Sequence, residues 1–308
     1  MNKQHIVTPT ESSGEPLSQI ASLPLTVVSL KEGLSSSAGP VLAADRRTLS
    51  GDAACRVQPA GKGHVADVWL AGQSTSSFDV AWELVAQGCL EPWGAVVCSS
   101  QQQGRGQMRR SWHSPPGNLY VSFLLPQDPL FREDAAAVLV GYILSASLGR
   151  MGYNVFLKWP NDFVNASPAK VGGLLLEDRD GLIVAGLGLN LISAPDISHL
   201  RDTRSLPAAV LGSCDREGKE EKLFPLSLWC SLVSHAKIVY DTHVTGELFS
   251  SLMQRADSLL ATKGKEVRFI DAGVESPCLC VGLGPSGGLV LIPKEGTAVE
   301  VFSGSVFL

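Results

Sequence analysis

Three arginines, Arg105, Arg109 and Arg110, stand between Gly104 and Trp112 in the stretch Gln101-Gln102-Gln103-Gly104-Arg105-Gly106-Gln107-Met108-Arg109-Arg110-Ser111-Trp112. Glycine lets a backbone approach a ligand closely, and clustered guanidinium groups favour a carboxylate or a phosphate. The chemistry this suggests is a loop that closes over an anion. The plainer alternative is a solvated basic turn before a strand. The loop is not a P-loop, because GxxxxGK[ST] is missing. It is not a dinucleotide fingerprint either, because Arg109 occupies the third glycine position. A second group is Lys158-Trp159-Pro160-Asn161-Asp162, where a cation, an amide and a carboxylate gather at a strand end, a common place for α/β sites. There Lys158 suits a phosphate and Asp162 suits orienting a partner; a simple strand-to-turn transition is the alternative. A third is Lys170-Val171-Gly172-Gly173-Leu174-Leu175-Leu176-Glu177, a lysine at the mouth of an apolar strand with two glycines. A fourth is Gly186-Leu187-Gly188-Leu189-Asn190, where glycines within a strand mark close approach of a ligand or another backbone. Taken alone, the third could be a surface lysine, and the fourth is weak.

The elements that must position these groups alternate. Strands are expected at Val65–Leu70, Ala95–Cys98, Leu119–Leu125, Val155–Leu157, Val171–Leu176 and Leu182–Leu187. A helix is expected from an N-cap at Ser77 to Gly88, and another from Asp134 to Gly149 or Gly152. Two more are expected around Leu226–Tyr240 and Leu248–Leu260. Pro160 is expected to stop its strand. Strands and helices mixed in this order imply an α+β or α/β layer on one sheet. After Lys263 and Gly264 the pattern changes to short strands at Val267–Phe269, Cys278–Val281, Leu289–Ile292 and Val299–Val301, with glycine turns. That reads as a small β-barrel. Three segments follow: an extension over residues 1–62 without paired helices, a mixed strand-and-helix domain over 63–262, and a barrel over 263–308. In the extension only Leu23–Leu30 resembles a strand. It is either a loosely ordered extension or one or two strands added to the main domain's edge.

Composition bounds the function. The 308 residues suggest about two domains. With 44% hydrophobic and 18% charged residues, the chain is too apolar to be disordered. Lys+Arg 25 against Asp+Glu 30 gives a net charge of −5, which argues against a generic nucleic-acid binder. Seven cysteines contain no CxxC pair, so zinc-ribbon and thioredoxin-like readings fail and reduced thiols are expected. No metal cluster is expected. The opening residues are polar, unlike a signal peptide. The apolar run Ala135–Leu148 is shorter than the roughly 20 residues a bilayer span needs. The expectation is a cytoplasmic protein with no membrane association.

In order and spacing the four groups resemble the biotin protein ligase family. The family's loop, Gly-Arg-Gly-Arg-Arg-Gly-Arg-x-Trp, is matched by Gly104, Arg105, Gly106, Arg110 and Trp112. Its Ser-Pro-x-Gly-Asn-Leu-Tyr-x-Ser is matched by Ser114, Pro115, Gly117, Asn118, Leu119, Tyr120 and Ser122. Its Lys-Trp-Pro-Asn-Asp is unchanged, and its Ser-Thr-Asn is similar to Ser74-Thr75-Ser76. The resemblance spans about Val65 to Leu308. It implies an α+β fold: a class II-synthetase-like domain with a mixed sheet flanked by helices, plus a C-terminal SH3-like β-barrel. It implies a ligase that forms biotinyl-5′-AMP from biotin and MgATP, then biotinylates a lysine of a biotin carboxyl carrier protein. Lys170, Arg105 and Arg110 would be catalytic. Biotin would meet Ser74, Thr75, Gln101, Gly104, Arg105, Gly106, Trp112, Lys170, Gly172 and Gly173. The nucleotide would meet Arg110, Trp112, Lys158, Asn161, Asp162 and Asn190. Trp112 would also order the loop and exclude water.

The resemblance also implies a possible homodimer by sheet extension. Without the helix-turn-helix that some members carry, no DNA binding is expected. The loop centre departs from the family: Gln107-Met108-Arg109 replaces Arg-Arg-Gly, and Ser76 replaces Asn. A side chain at Arg109 hinders φ > 0 and demands another backbone path. Three consequences are open: a weaker hold on biotin or its adenylate, leakage of adenylate with less selective labelling, or loss of biotin ligase activity. Two alternatives therefore stand beside the ligase. One is a ligase for lipoate or another carboxylic acid; the other is a non-catalytic paralogue that binds biotin or a carrier domain.

Overall fold

The computed structural model describes residues 41–49, 52–59, 66–195, 206–212, 223–271 and 273–308, the first two segments by backbone alone. The chain forms two compact units. The first is built on strands β1 (Val41–Leu49), β2 (Asp52–Pro59), β3 (Val68–Ser74), β4 (Ala95–Gln101) and β5 (Leu119–Leu124). Strands β1 and β2 form an antiparallel hairpin that pairs with β3. Helix α1 (Ser77–Ala86) carries the chain from β3 to its parallel neighbour β4, and β5 then pairs antiparallel with β4. The sheet is therefore mixed.

Helix α1 forms because Ser76 caps it, accepting the Phe78 N–H. Gly88 closes it at φ 64°. Its inner face sends Phe78, Val80, Ala81, Trp82 and Leu84 into a core with Trp69, Val96, Cys98 and Tyr120. Strands β8 (Lys170–Arg179) and β9 (Leu182–Leu189) are joined at Asp180 and Gly181, whose φ values of 53° and 78° suit a two-residue hairpin turn. Residues from Leu175 onward belong to the first unit, where β9 pairs with β5. Trp229 of helix α3 (Pro225–Val239) packs on Phe123 of β5, with ring centroids 5.0 Å apart.

The second unit holds helix α2 (Ala136–Arg150), the hairpin of β6 (Val155–Lys158) and β7 (Asp162–Asn165), the first half of β8, and helix α4 (Phe249–Asp257). The apolar run in α2 is buried nearly all round, from Val138 through Leu144 to Leu148. It is a core helix, and among the described residues no helix is long and apolar enough to cross a membrane. Gly141 faces β6: a Cβ there would lie 3.0 Å from Leu157. The C-terminal residues form a five-stranded antiparallel sheet, ordered β13-β12-β11-β10-β14. Its strands are β10 (Glu266–Asp271), β11 (Val274–Leu283), β12 (Leu289–Pro293), β13 (Val299–Val301) and β14 (Ser305–Phe307).

The expected elements are present, with shifts. The N-cap of α1 is Ser76 rather than Ser77. The hairpin strand β7 and the terminal β14 had no counterpart in the sequence pattern. Asp162-Phe163-Val164-Asn165 is short and opens on turn-forming residues, and pairing on both sides makes it a strand. Strands β1 and β2 lie in the N-terminal segment and pair onto β3, whereas the expected strand at Leu23–Leu30 lies outside the described residues.

Candidate functional site

In the first unit the arginine-bearing loop is a small hairpin. Its arms meet at Arg105 and Ser111, with Trp112 N–H bonded to Gly104 O at 2.8 Å and Gly106 N–H to Arg110 O at 2.7 Å. Its base is tied to the end of β3: Gln102 N–H donates to Ser74 O and Gln103 N–H to Thr75 O, at 2.9 and 2.8 Å. The tip, Gln107–Arg109, is one turn of 3₁₀ helix. The left-handed position falls on Met108 at φ 56°, where the side chain is 73% exposed. The strained conformation thus falls on an exposed side chain, where no packing opposes it.

Glycines fix the loop's packing. A Cβ on Gly104 would come within 2.5 Å of Trp112 O, and one on Gly188 within 2.7 Å of the Trp112 indole. The Trp112 ring therefore lies flush on β9. Beneath the loop, the Gln101 amide accepts from Ser77 N–H at 2.8 Å and donates to Ser114 Oγ at 2.9 Å. Gln101 thus joins the start of α1 to the segment that leads into β5. Ser74 is 1% exposed, and its hydroxyl has no partner among the described residues. Asn118 Oδ1 accepts N–H groups from Leu191, Ile192 and Ser193, at 2.9, 3.0 and 3.2 Å. That holds the chain just after the buried Asn190.

Arg105 does not project into solvent. Its guanidinium pairs with Asp79 of α1, and its Nη1 donates to Glu177 Oε1 of β8 at 3.0 Å. Glu177 Oε2 also accepts from Trp82 Nε1 at 2.8 Å and from Arg179 Nη2 at 3.2 Å. Arg179 lies over the Trp82 ring, 4.5 Å from its centroid. Burial disfavours the Arg105 charge, but Glu177 and Asp79 outweigh it and raise the pKa above the ordinary arginine value. Arg110, in contrast, is exposed and forms no ion pair among the described residues.

In the second unit Asp162 lies between two lysines. Its Oδ2 is 3.2 Å from Lys158 Nζ and its Oδ1 is 2.5 Å from Lys170 Nζ. Burial opposes ionisation of Asp162, yet Lys170 and then Lys158 hold its carboxyl below the ordinary carboxylate range. The backbone holds all three in place. Lys158 and Asp162 are paired across the β6–β7 hairpin, and Asp162 faces Gly173 of β8. Lys170 N–H donates to Pro207 O and its carbonyl accepts from Ala209, at 2.7 and 2.9 Å. Asn161 Nδ2 donates to Leu174 O at 2.6 Å, fastening the hairpin tip, where Trp159 is buried.

The sequence-selected residues therefore fall into two groups. Ser74, Thr75, Gln101, Gly104, Arg105, Gly106, Arg110, Trp112 and Asn190 lie in the first unit, and Lys158, Asn161, Asp162, Lys170, Gly172 and Gly173 in the second. Asp79, Trp82, Glu177 and Arg179 were not singled out. Only Glu177 carried a signal, as the last residue of the Lys170 segment. Asp79 and Trp82 looked like ordinary helix positions. Among the described residues no cluster of His, Cys, Asp or Glu is arranged to hold a metal ion.

Comparison with known proteins gives a consistent picture. The sequence model of the biotin/lipoate A/B protein ligase family matches residues 71–190. A biotin–[acetyl-CoA-carboxylase] ligase of Paracoccus denitrificans is 27% identical over 222 residues, 68% of this chain and 90% of that protein. The bifunctional ligase/repressor BirA of Bacillus subtilis (strain 168) is 32% identical over 133 residues, 40% of this chain and 41% of its own. Among solved structures, a biotin protein ligase of Aquifex aeolicus in complex with biotin and ATP aligns with a TM-score of 0.60. It is 24% identical and covers 78% of this chain and 97% of that one, a likeness of fold.

Proposed function

We propose that the chain, whose residues 71–190 match the biotin/lipoate A/B protein ligase family, is an ATP-dependent biotin protein ligase. The biotin carboxylate attacks the α-phosphorus of ATP, and the bond to the departing pyrophosphate breaks. The biotinyl-AMP so formed is attacked at its acyl carbon by a lysine amine of a biotin carboxyl carrier protein, releasing AMP. The observation that carries this reading is the Lys158–Asp162–Lys170 cradle. Two anions must be brought together, and preorganised cations offset both their repulsion and the charge that develops. Lys170 is assigned to the carboxylate and α-phosphate, Lys158, Asn161, Asp162 and Asn190 to the nucleotide, and Arg105 and Arg110 to an anion-binding loop. Ser74, Thr75 and Gln101 border the biotin head group; the unpartnered Ser74 hydroxyl supports this. Gly104, Gly106, Gly172 and Gly173 admit close approach, and Trp112 excludes water from an anhydride that hydrolyses easily.

Mg²⁺ belongs to the nucleotide substrate in this reading. Both Asp162 oxygens are engaged by lysines, so that carboxylate fits a cation-positioning role better than a metal ligand's. The C-terminal antiparallel sheet is assigned to an SH3-like barrel. DNA is not among the proposed partners, given the net charge of −5.

The test is pyrophosphate–ATP exchange with biotin, with lipoate and with no acid, followed by transfer to a carrier domain. Exchange that requires biotin supports the reading, and exchange with lipoate alone overturns it. Lys170→Ala is expected to lower biotin-dependent exchange by at least about a hundredfold, since it removes a preorganised charge from the transition state. Wild-type exchange in that variant would remove Lys170 from the chemistry.

A further inference from the structure

The loop of a ligase must hold an adenylate and yet admit a carrier lysine, so what holds the loop matters. Arg105 heads its first arm and is the residue that ties it outward to two other elements. Its two terminal nitrogens are taken by Asp79 on α1 and Glu177 on β8. The second carboxylate is itself fixed by Trp82 and Arg179. The charges balance: Asp79 and Glu177 supply two negative charges, and Arg105 and Arg179 two positive ones. A substrate carboxylate or phosphate arriving at Arg105 would be a third anion around one guanidinium, within a few ångströms of the other two. Like charges at that distance are costly in a half-buried setting. Arg110, on the other arm, has no such company.

We propose that Arg105, Asp79 and Glu177 form a clamp that seats the loop, making Asp79 and Glu177 positioning residues of the ligation and Arg105 the loop's anchor, with Arg110 its anion-facing cation. The inference deepens the ligase reading, on which its kinetic arm rests, while its structural arm does not. The carboxylates act through Arg105. Remove them and the loop samples unseated positions, so the acid substrate is held less well, although the groups that meet the reacting atoms are unchanged.

The experiment compares the whole chain with Asp79→Asn, Glu177→Gln, the pair together, Arg105→Ala, and Arg105→Ala added to the pair. Two readouts are taken: the rate of trypsin cleavage after Arg110, followed by mass spectrometry, and the KM for biotin against kcat in pyrophosphate exchange. The clamp predicts cleavage about tenfold faster in the carboxylate pair, a KM for biotin raised about tenfold, and kcat within about threefold of wild type. Adding Arg105→Ala to the pair then speeds cleavage no further, because a clamp already open has nothing more to lose. Asp79→Glu, which keeps the charge, restores both readouts. The idea is overturned if the pair leaves cleavage and KM at wild-type values. It is also overturned if Arg105→Ala abolishes exchange without changing cleavage, since Arg105 is then a substrate ligand. Melting temperatures accompany each variant; if the pair unfolds, Asp79→Asn alone, at a half-exposed site, carries the same comparison. Absence of biotin-dependent exchange in the wild type sinks the ligase reading, and trypsin cleavage still decides the clamp.

Discussion

Asp162 shows how one side chain sets the behaviour of two others. Its carboxylate fixes Lys158 and Lys170 by ion pairs of 3.2 and 2.5 Å, so both ammoniums are in place before a substrate arrives. The folded-state pKa of Asp162 is depressed. Its contribution to stability is therefore fully present above the unfolded value of about 3.9 and is lost as pH falls through the folded one. Asp162→Asn is expected to cost about 2 kcal/mol at neutral pH, mostly from leaving two lysines without their counter-charge. Urea midpoints measured from pH 7 downward should show this deficit constant to about pH 5 and shrinking below about pH 4. A deficit that grows with acid would contradict the ion-pair account. Ser76 shows the same economy of position. It replaces the asparagine expected from the family pattern, and the structure uses it as the N-cap of α1, a place both residues fill well. Ser76→Ala is expected to lower stability by about 1 kcal/mol in chemical denaturation, through loss of the cap.

At the scale of elements, the loop is held by what lies beneath it. β9 presents Gly188 to the Trp112 indole, which a methyl group there would meet at 2.7 Å. A rigid indole has no room to yield, so Gly188→Ala should lift Trp112 and the loop's second arm with it. The expected result is a drop in biotin-dependent exchange of about tenfold or more. The change in melting should correspond to only about 1 kcal/mol, as the strain is confined to one contact. Equal exchange in variant and wild type would mean that the ring's seat on β9 is irrelevant to turnover.

At the scale of the whole molecule, one acid helps to fasten the C-terminal sheet to the helix before it. Asp257, at the end of α4, accepts the Leu283 N–H of β11 at 2.8 Å and pairs with Lys263. Gly282 leaves room for it, since a Cβ there would lie 2.3 Å from the Asp257 carboxylate. Asp257→Ala is expected to destabilise the chain by about 1–3 kcal/mol, because a backbone N–H loses its charged acceptor. The readout is thermal melting. An unchanged melting curve would show that the sheet does not depend on this contact.

The amino-acid sequence alone determined where most of the strands and helices between residues 66 and 301 lie, because period and capping chemistry are local properties, but it left β7 and β14 unmarked. It also determined the chemistry of the anion-binding groups, since charge and glycine placement survive in any conformation. Lys158, Asp162 and Lys170 were chosen on that basis. That a single carboxylate joins the two lysines was decided only by the pairing of β6, β7 and β8, in which Asp162 lies opposite Lys158 and Gly173 and is met by the Lys170 ammonium. The same holds for Asp79 and Glu177. They are 98 residues apart in the chain, and nothing in their local pattern marks them as partners of Arg105. Strands β1 and β2 were not marked by the sequence pattern, because what makes them strands is the neighbour each pairs with. Local patterns specify elements and reagents, whereas the meeting of distant charges depends on the register and packing of the folded chain.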